Sequence, residues 1–455
     1  MMTRLPEKFE ESIRQKLGID FSSFVQSLQE PSPVSIRINP EKRKFNPAFP
    51  SVPWTPYGQY LSRRPVFTLD PLLHAGCYYV QEASSMFLEQ AVKQSVNLQD
   101  ALNVLDLCAA PGGKSTHLLS LLSPESLLVS NEVIRTRSSV LSENIQKWGY
   151  PNAIVTNNDP QDFQQFKGFF DLIVIDAPCS GEGLFRKDPN AMNEWSAENV
   201  ELCSSRQKRI VSDVWDALRE KGVLIYCTCT YNERENEDNL RWIQENYPVE
   251  FIKLTTDNTW QIEAVEANNR FAYRFFPHKT KGEGFFISAM RKQQPTSSTK
   301  LKVKKNIVNP AKKIIERLQP WISPGYAVNF YQFNDLLFYA PAFKEKEIEF
   351  LLQHLKILYA GTNLATIKHD KLIPDHALAL SIQLNKKNFP IVDISETDAV
   401  RYLRKDPIEL NGVDMGFTLL TFENMPIGWA NVLSNRVNNM YPSDWRIRMA
   451  ATKNQ

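Results

Sequence analysis

Five short apolar runs recur between residues 101 and 290: "ALNVLDL", "SLLVSNE", "NAIVTNND", "FDLIVIDAP" and "GVLIYCTCT". Each is too short for a buried helix and is rich in apolar or β-branched residues, so each predicts a buried strand. Stretches with helical spacing, such as "RTRSSVLSENIQKW", lie between them. A strand followed by a helix and another strand pairs in parallel, through a right-handed crossover. The predicted fold class is therefore α/β, a Rossmann-like sheet that is mostly parallel. Sheets of this kind bind ligands beyond the carboxyl ends of their strands. The residues at those ends are the ones to read for chemistry.

The first strand runs into "LDLCAAPGGKST", Leu105 to Thr116. A tight turn with adjacent glycines opens a helix, presenting backbone N–H groups and the positive helix end to a ligand. "GGKST" resembles a nucleotide-triphosphate loop, but that motif needs a glycine five residues before the Gly-Lys pair, where Cys108 stands. A nucleoside cofactor fits better. Glu132 ends the second strand, about 20 residues past the glycines, where an acid holds ribose hydroxyls. Asp159 ends the third strand and Asp176 the fourth. Any one of these acids alone reads as a helix cap or turn residue. Three in register beside a glycine loop point to a binding crevice.

The chain has six cysteines in 455 residues, with no spacing that suggests a disulfide framework. Cys179 lies in "IDAPCSGEG", and Cys227 and Cys229 lie in "YCTCT". On a strand, alternate residues share a face, so Cys227 and Cys229 are expected to point the same way. Zinc would need two further ligands at matching spacing, and no Cys-x-x-Cys pair or His cluster supplies them; no metal is expected. Any one of these thiols alone can be core packing. Cys179 and Cys229 differ in standing at the ends of neighbouring strands, beside the inferred cofactor.

"DLCAAPGGKST", "IDAPCSGEG" and "YCTCTYNEREN" together resemble the signature motifs of the Nop/Sun family of S-adenosylmethionine-dependent RNA 5-methylcytosine methyltransferases. The resemblance covers roughly residues 30–290, with "SIRIN" and "YYVQEASSM" matching flanking patterns. The C-terminal part, ending "GWANVLSNRVNNMYPSDWRIR", is similar to the bacterial RsmF-like branch, which acts on small-subunit (16S) ribosomal RNA. The resemblance implies a class I methyltransferase fold with a seven-stranded sheet, an N-terminal extension, and small C-terminal ferredoxin-like and PUA-like domains. It divides the chain into 1–75, an N-terminal RNA-binding unit; 76–292, the catalytic unit; 293–310, a basic linker; 311–378, a ferredoxin-like segment; and 379–455, a PUA-like domain.

The implied site follows residue by residue. Cys108, Ala109, Ala110, Pro111, Gly112, Gly113, Lys114, Glu132, Asp159 and Asp176 bind S-adenosylmethionine. Cys229 is the nucleophile, Cys179 releases the product, and Asp176 stands near both cofactor and cytosine. Carbon 5 of cytosine is a poor nucleophile until a thiolate adds at carbon 6, which is why the chemistry wants a cysteine. DNA enzymes with the same product attack with the cysteine of a Pro-Cys pair, here Pro178-Cys179, so attack by Cys179 is the alternative. Cys227 is expected to pack. The implied substrate is 16S ribosomal RNA in the small subunit, at the decoding region, with transfer RNA as the alternative. A non-catalytic RNA-binding or assembly factor is the other class, but two thiols at strand ends have no use in one.

The N-terminus has no signal-peptide core and no apolar run reaches about 18 residues, so the chain reads as a cytoplasmic monomer without membrane contact. Its net charge of +2 hides an asymmetry. Arg291 to Arg317 carries nine Lys/Arg (Arg291, Lys292, Lys300, Lys302, Lys304, Lys305, Lys312, Lys313, Arg317) against Glu316 alone, a local +8 that leaves about −6 elsewhere. Such a run is either a solvated linker or a phosphate-contacting arm. A target base must leave its stack to react, and its flanking phosphates need cations. Arg186, Lys187, Arg206, Lys208 and Arg209 are expected to supply them, with the linker lysines.

Overall fold

The computed structural model describes residues 5–43, 48–302 and 308–449. Lys304 and Lys305 of the basic run lie outside the described residues. Two N-terminal helices, Glu7–Leu17 and Phe21–Ser27, come first. Phe9, Ile13 and Leu17 recur at helical spacing and are buried. A three-stranded antiparallel sheet follows, β1 (Val34–Ile38), β2 (Gly58–Leu61) and β3 (Tyr78–Val80), in the order β2-β1-β3.

The five predicted strands are β4 (Asn103–Asp106), β5 (Leu127–Asn131), β6 (Ala153–Thr156), β7 (Phe170–Asp176) and β8 (Leu218–Thr228). They pair in parallel in the order β6-β5-β4-β7-β8. The helix Arg135–Trp148 covers the stretch read as helical. β9 (Val249–Phe251), β10 (Glu263–Ala267), β11 (Arg270–Phe275) and β12 (Phe285–Lys292) then join antiparallel. The run from β6 to β11 is the expected seven-stranded sheet, parallel at its centre. Ten strands in all belong to it, because β9, β10 and a strand from the C-terminal region are added. β4 to β7 are buried along nearly their whole length, as helices on both faces require.

The C-terminal region starts with β13 (Val328–Phe333), β14 (Leu336–Pro341), β15 (Ile357–Ala360), β16 (Thr362–Lys368) and β17 (Lys371–Pro374). β15 leaves its neighbours and pairs antiparallel with β6, extending the large sheet. The others form a four-stranded sheet in the order β13-β14-β16-β17, antiparallel throughout. That order differs from the ferredoxin-like expectation, since sequence neighbours pair directly and the strand after the helix Glu345–His354 is given to the catalytic sheet. A last sheet holds β18 (Ile391–Asp393), β19 (Gly416–Phe422), β20 (Met425–Val432) and β21 (Val437–Asn439) in chain order. Its Leu420 and Ile427, with Tyr402 of the helix Glu396–Leu403 and Tyr441 just past β21, share one core with Ile36, Ile38 and Tyr78 of the N-terminal unit. Among the described residues, no helix is long and apolar enough to cross a membrane.

Two of the basic residues are structural. Lys292 ends β12 fully buried, donating to the carbonyls of Trp215 and Leu218 at 2.8 Å each. Burial lowers its pKa to about 8. Arg291 donates to the carbonyls of Lys221 and Ser95. Arg291 and Lys292 are therefore held by the fold, whereas Lys300 and Lys302, the next described cations of the run, are exposed.

Candidate active site

β4 ends at Asp106, and the chain turns through Cys108–Pro111 into the helix Gly113–Leu121. Gly112 is the helix N-cap at φ +114°, left-handed backbone that a Cβ would strain, and that Cβ would stand 3.2 Å from Leu141. The first amides of a helix have no partner within it. They open onto a cavity of about 170 Å³ lined by Tyr79, Gln81, Cys108–Pro111, Gly113, Lys114 and Asp176. Seven of the ten residues expected at the cofactor site thus line one cavity.

Lys114 pairs with Asp176 at 2.7 Å across this cavity. Burial opposes the ammonium, but Asp176 and Asp106 hold its pKa above the ordinary lysine value. Asp106 itself is fully buried, with one carboxyl oxygen accepting from Ser115 at 2.6 Å and the other unpartnered among the described residues. Burial raises its pKa to about 7.

Glu132 lies at the end of β5, 3% exposed. Its carboxylate accepts from the amide of Ile134 at 2.9 Å and faces Arg137 at 3.4 Å. Arg137 in turn donates to the carbonyl of Ala110 at 2.7 Å, tying Glu132 to the glycine turn. The next two side chains, Val133 and Ile134, are 53% and 49% exposed. Asp159 follows β6 by three residues. It caps the turn Pro160–Gln165, accepting from Gln161 N, and meets Arg209 at 3.8 Å. A left-handed glycine at a helix N-terminus without a side-chain cap, a buried acid and an exposed apolar pair fit a nucleoside with a charged tail.

The two thiols meet. Cys179 Sγ lies 3.1 Å from Cys229 Sγ. β7 and β8 are parallel neighbours, and each thiol follows its strand by one to three residues. The hydrogen bond to Cys229 and then burial raise the pKa of Cys179 well above the ordinary thiol value, so Cys179 keeps its proton. Cys227 does not share this setting. β8 ends at Thr228, so strand alternation does not carry to Cys229. Cys227 is fully buried in the core with Val223 and Ile225. Gly183 donates its amide to the Cys229 carbonyl at 2.8 Å. A Cβ on Gly183 would stand 2.7 Å from that oxygen and 2.6 Å from the Gly284 carbonyl, so only glycine fits there.

Several residues of the site gave no sequence signal of their own. Glu235 accepts from Ser180 on both amide and hydroxyl and from Gln207 at 2.8 Å. Gln207 also donates to the Pro178 carbonyl at 3.0 Å. The cysteine-bearing turn 178–180 is thereby clamped on both sides, next to Thr230 of the facing turn. Arg37 of "SIRIN" is fully buried, donating to Gln81 at 2.7 Å and Thr116 at 2.6 Å. It joins the N-terminal sheet to the glycine-turn helix. The signal that could have found both lies in their motifs, where charged residues sit among buried ones. Arg186 is not free for phosphate: it is 3% exposed and paired with Glu283 at 3.0 Å. Among the described residues, no group of three or more His, Cys, Asp or Glu converges as a metal site would need.

Comparison with known proteins gives three family matches along the chain. Residues 5–83 match the N-terminal domain of 16S rRNA methyltransferase RsmF, residues 93–291 match 16S rRNA methyltransferase RsmB/F, and residues 389–447 match the methyltransferase RsmF PUA domain. Ribosomal RNA small subunit methyltransferase F of Enterobacter sp. (strain 638) is 29% identical, covering 96% of this chain and 95% of that protein. A methyltransferase homologue protein from Pyrococcus horikoshii is 26% identical with a TM-score of 0.54, covering 64% of this chain and 96% of that one. NSun6 from Pyrococcus horikoshii, crystallised with SFG, shares the fold at 19% identity and a TM-score of 0.54, over 65% of this chain and 100% of that one.

Proposed function

Since the chain belongs to the RsmB/F family of 16S rRNA methyltransferases, we propose that it transfers a methyl group from S-adenosylmethionine to carbon 5 of a cytosine in 16S ribosomal RNA. The observation that carries this reading is the 3.1 Å contact of Cys179 and Cys229 beside the glycine-turn cavity. A binding protein has no use for two thiols meeting at strand ends.

The assignment of roles rests on the resemblance of the "TCT" triplet, which makes Cys229 the nucleophile, and is supported by the 3.1 Å contact that sets Cys179 against its sulfur. The Cys229 sulfur adds to carbon 6, making carbon 5 an enamine carbon that takes the methyl group. Methyl transfer would leave the demethylated cofactor as thioether, and loss of the carbon 5 proton to solvent then breaks the carbon 6–sulfur bond and returns the thiolate. Cys179 serves this release. The cofactor supplies an electrophilic methyl on sulfur. The turn Cys108–Lys114, Glu132, Asp159 and Asp176 hold it, and Asp176, fixed by Lys114, also reaches the amidine edge of the cytosine. The flipped base comes from the decoding region, and the protein acts in the cytoplasm as a monomer, without metal.

Transfer of labelled methyl groups tests the reading. Small subunits and free RNA from a strain lacking the gene are incubated with the protein and labelled cofactor, and the RNA is digested to nucleosides. Label in 5-methylcytidine of 16S RNA is the expected result. Label in transfer RNA would move the substrate, and no label in any RNA would leave a non-catalytic factor.

A further inference from the structure

A trough of about 1040 Å³ lies beside the catalytic cavity and shares Val80, Gln81 and Glu82 with it. One wall is N-terminal, formed by residues 30–35 and 61–64. The other is catalytic, formed by residues 186–187 and 277–281. Its charge is one-sided. Arg63, Arg64, Lys187 and Lys281 are exposed, and among the described residues no ion pair holds any of them. Lys279 adds a fifth cation, shared with Asp20 at 3.4 Å and Glu263 at 3.2 Å.

The acids do not balance these cations. Only Glu30 and Glu82 line the trough. Glu82 is turned inward, accepting from the amides of Ser84, Ser85 and Glu283 at 2.8–2.9 Å. Arg186, in the catalytic wall, is neutralised by Glu283 at 3.0 Å. The lining side chains include prolines and His278 but few aromatic faces on which bases could stack. Arg64 lies over Phe67 and Lys281 over Tyr60, which fixes the stems of both cations.

We propose that this trough is the path of the single-stranded RNA segment next to the target nucleotide, and that it holds phosphates rather than reading bases. The inference rests on the RNA methyltransferase reading and places the substrate strand on the N-terminal side of the cavity. That is a different face from the helix Ala197–Val214, where Arg206, Lys208 and Arg209 lie, and Arg209 there is already shared with Asp159 and Asp213. A strand held by its phosphates enters the cavity without a base contact and is tolerant of sequence. Specificity for one nucleotide then belongs to the cavity and to the C-terminal region. Unpaired RNA is the form that can follow such a path while one base is turned out.

The test is the salt dependence of binding, using the full chain and a short single-stranded RNA of mixed sequence, with its duplex as the second probe. Each phosphate neutralised on a single strand contributes about −0.7 to the log–log slope of affinity against salt. Replacing Arg63, Arg64, Lys187 and Lys281 together by Gln should flatten the slope by up to about 3 and weaken single-strand binding at low salt more than tenfold. Cofactor affinity should not change, which shows that the variant is folded. Arg64→Gln and Lys187→Gln, one from each wall, should each flatten the slope by about 0.7. Lys221→Gln, at the opposite end of β8, should leave it unchanged. An unaltered slope in the fourfold variant would overturn the proposal, as would loss of duplex binding with single-strand binding spared. The readouts are separable: if the wild-type protein transfers no methyl group but these slopes change as stated, the function reading fails and the trough assignment stands.

Discussion

Three donors converge on the buried carboxyl of Glu235: the Ser180 amide, the Ser180 hydroxyl and the Gln207 amide. Glu235→Ala removes the acceptor of the Ser180 amide, while the Ser180 hydroxyl keeps Thr230 and Gln207 keeps the Pro178 carbonyl. An unsatisfied buried donor costs about 1–3 kcal/mol, so the variant should lose about that much stability, read as the shift of its denaturation midpoint. Methyl transfer should fall more than cofactor binding, because the turn carrying Cys179 is loosened while the glycine turn is untouched. The same residue gives a pH signature. Burial raises Glu235 to about 7, against 4.5 for the free group, and Asp106 to about 7, against 3.8. In this interval the folded state binds more protons than the unfolded one, so stability is greatest below the unfolded values and falls as pH rises through 7. At ~1.4 kcal/mol per pKa unit, Glu235 alone contributes a fall of up to ~3 kcal/mol between about pH 4.5 and pH 7. Glu235→Gln should flatten that part of the stability curve; an unchanged curve would remove Glu235 from the account. Cys179 and Cys229 were legible in the sequence because a thiol at a strand end is uncommon and the motifs around them are specific. Glu235 was not, since an acid in "NEREN" reads as a solvated charge and its partners lie on two other segments, 28 and 55 residues away.

The N-terminal helices act on the thiols from behind. Phe9 meets Phe185 edge-on at 4.9 Å, and Phe24 meets Tyr231 at 5.3 Å. Phe185 and Tyr231 follow Cys179 and Cys229 by a few residues, so the helices brace both turns from one side. At the opposite side, the junction of β5 with the helix Arg135–Trp148 is held by Glu132. Glu132→Ala should weaken S-adenosylmethionine binding about tenfold or more in calorimetry, from the loss of charge-assisted hydrogen bonds worth roughly 1.5–3 kcal/mol each. Unchanged affinity would remove Glu132 from the site. β15 carries a prediction for truncation. A chain ending at Arg291 loses the strand that covers the β6 edge, together with Ile348 and Leu351, which are buried in the main core. It should bind cofactor but unfold at lower temperature and self-associate, because an exposed edge strand invites pairing. A truncated chain that stays monomeric at the wild-type midpoint would contradict this. The central strands and the helix 135–148 were readable because each buries its whole length or one clear face. β15 was not, because four residues of strand have a partner some 200 residues earlier, and no local period encodes that choice.

Across the described residues, the N-terminal sheet and the last C-terminal sheet share one core, so two units far apart in the chain pack on each other. The trough, the glycine-turn cavity and the thiol pair lie along the junction of the N-terminal and catalytic parts. The order of these parts was readable from motifs; this packing was not, since it depends on the shapes of surfaces far apart in the chain. The central claim is that Cys229 attacks the RNA and Cys179 releases it. A denaturing gel of the full-length protein, incubated with cofactor and labelled 16S RNA, tests it most directly. Cys227→Ala should remain active, losing only the modest stability of a small core truncation. Cys229→Ala should be inactive and run free of RNA. Cys179→Ala should accumulate a protein–RNA band that survives denaturation, because addition and methyl transfer proceed while release stalls. A stable band with Cys229→Ala and none with Cys179→Ala would contradict the account and make Cys179 the nucleophile.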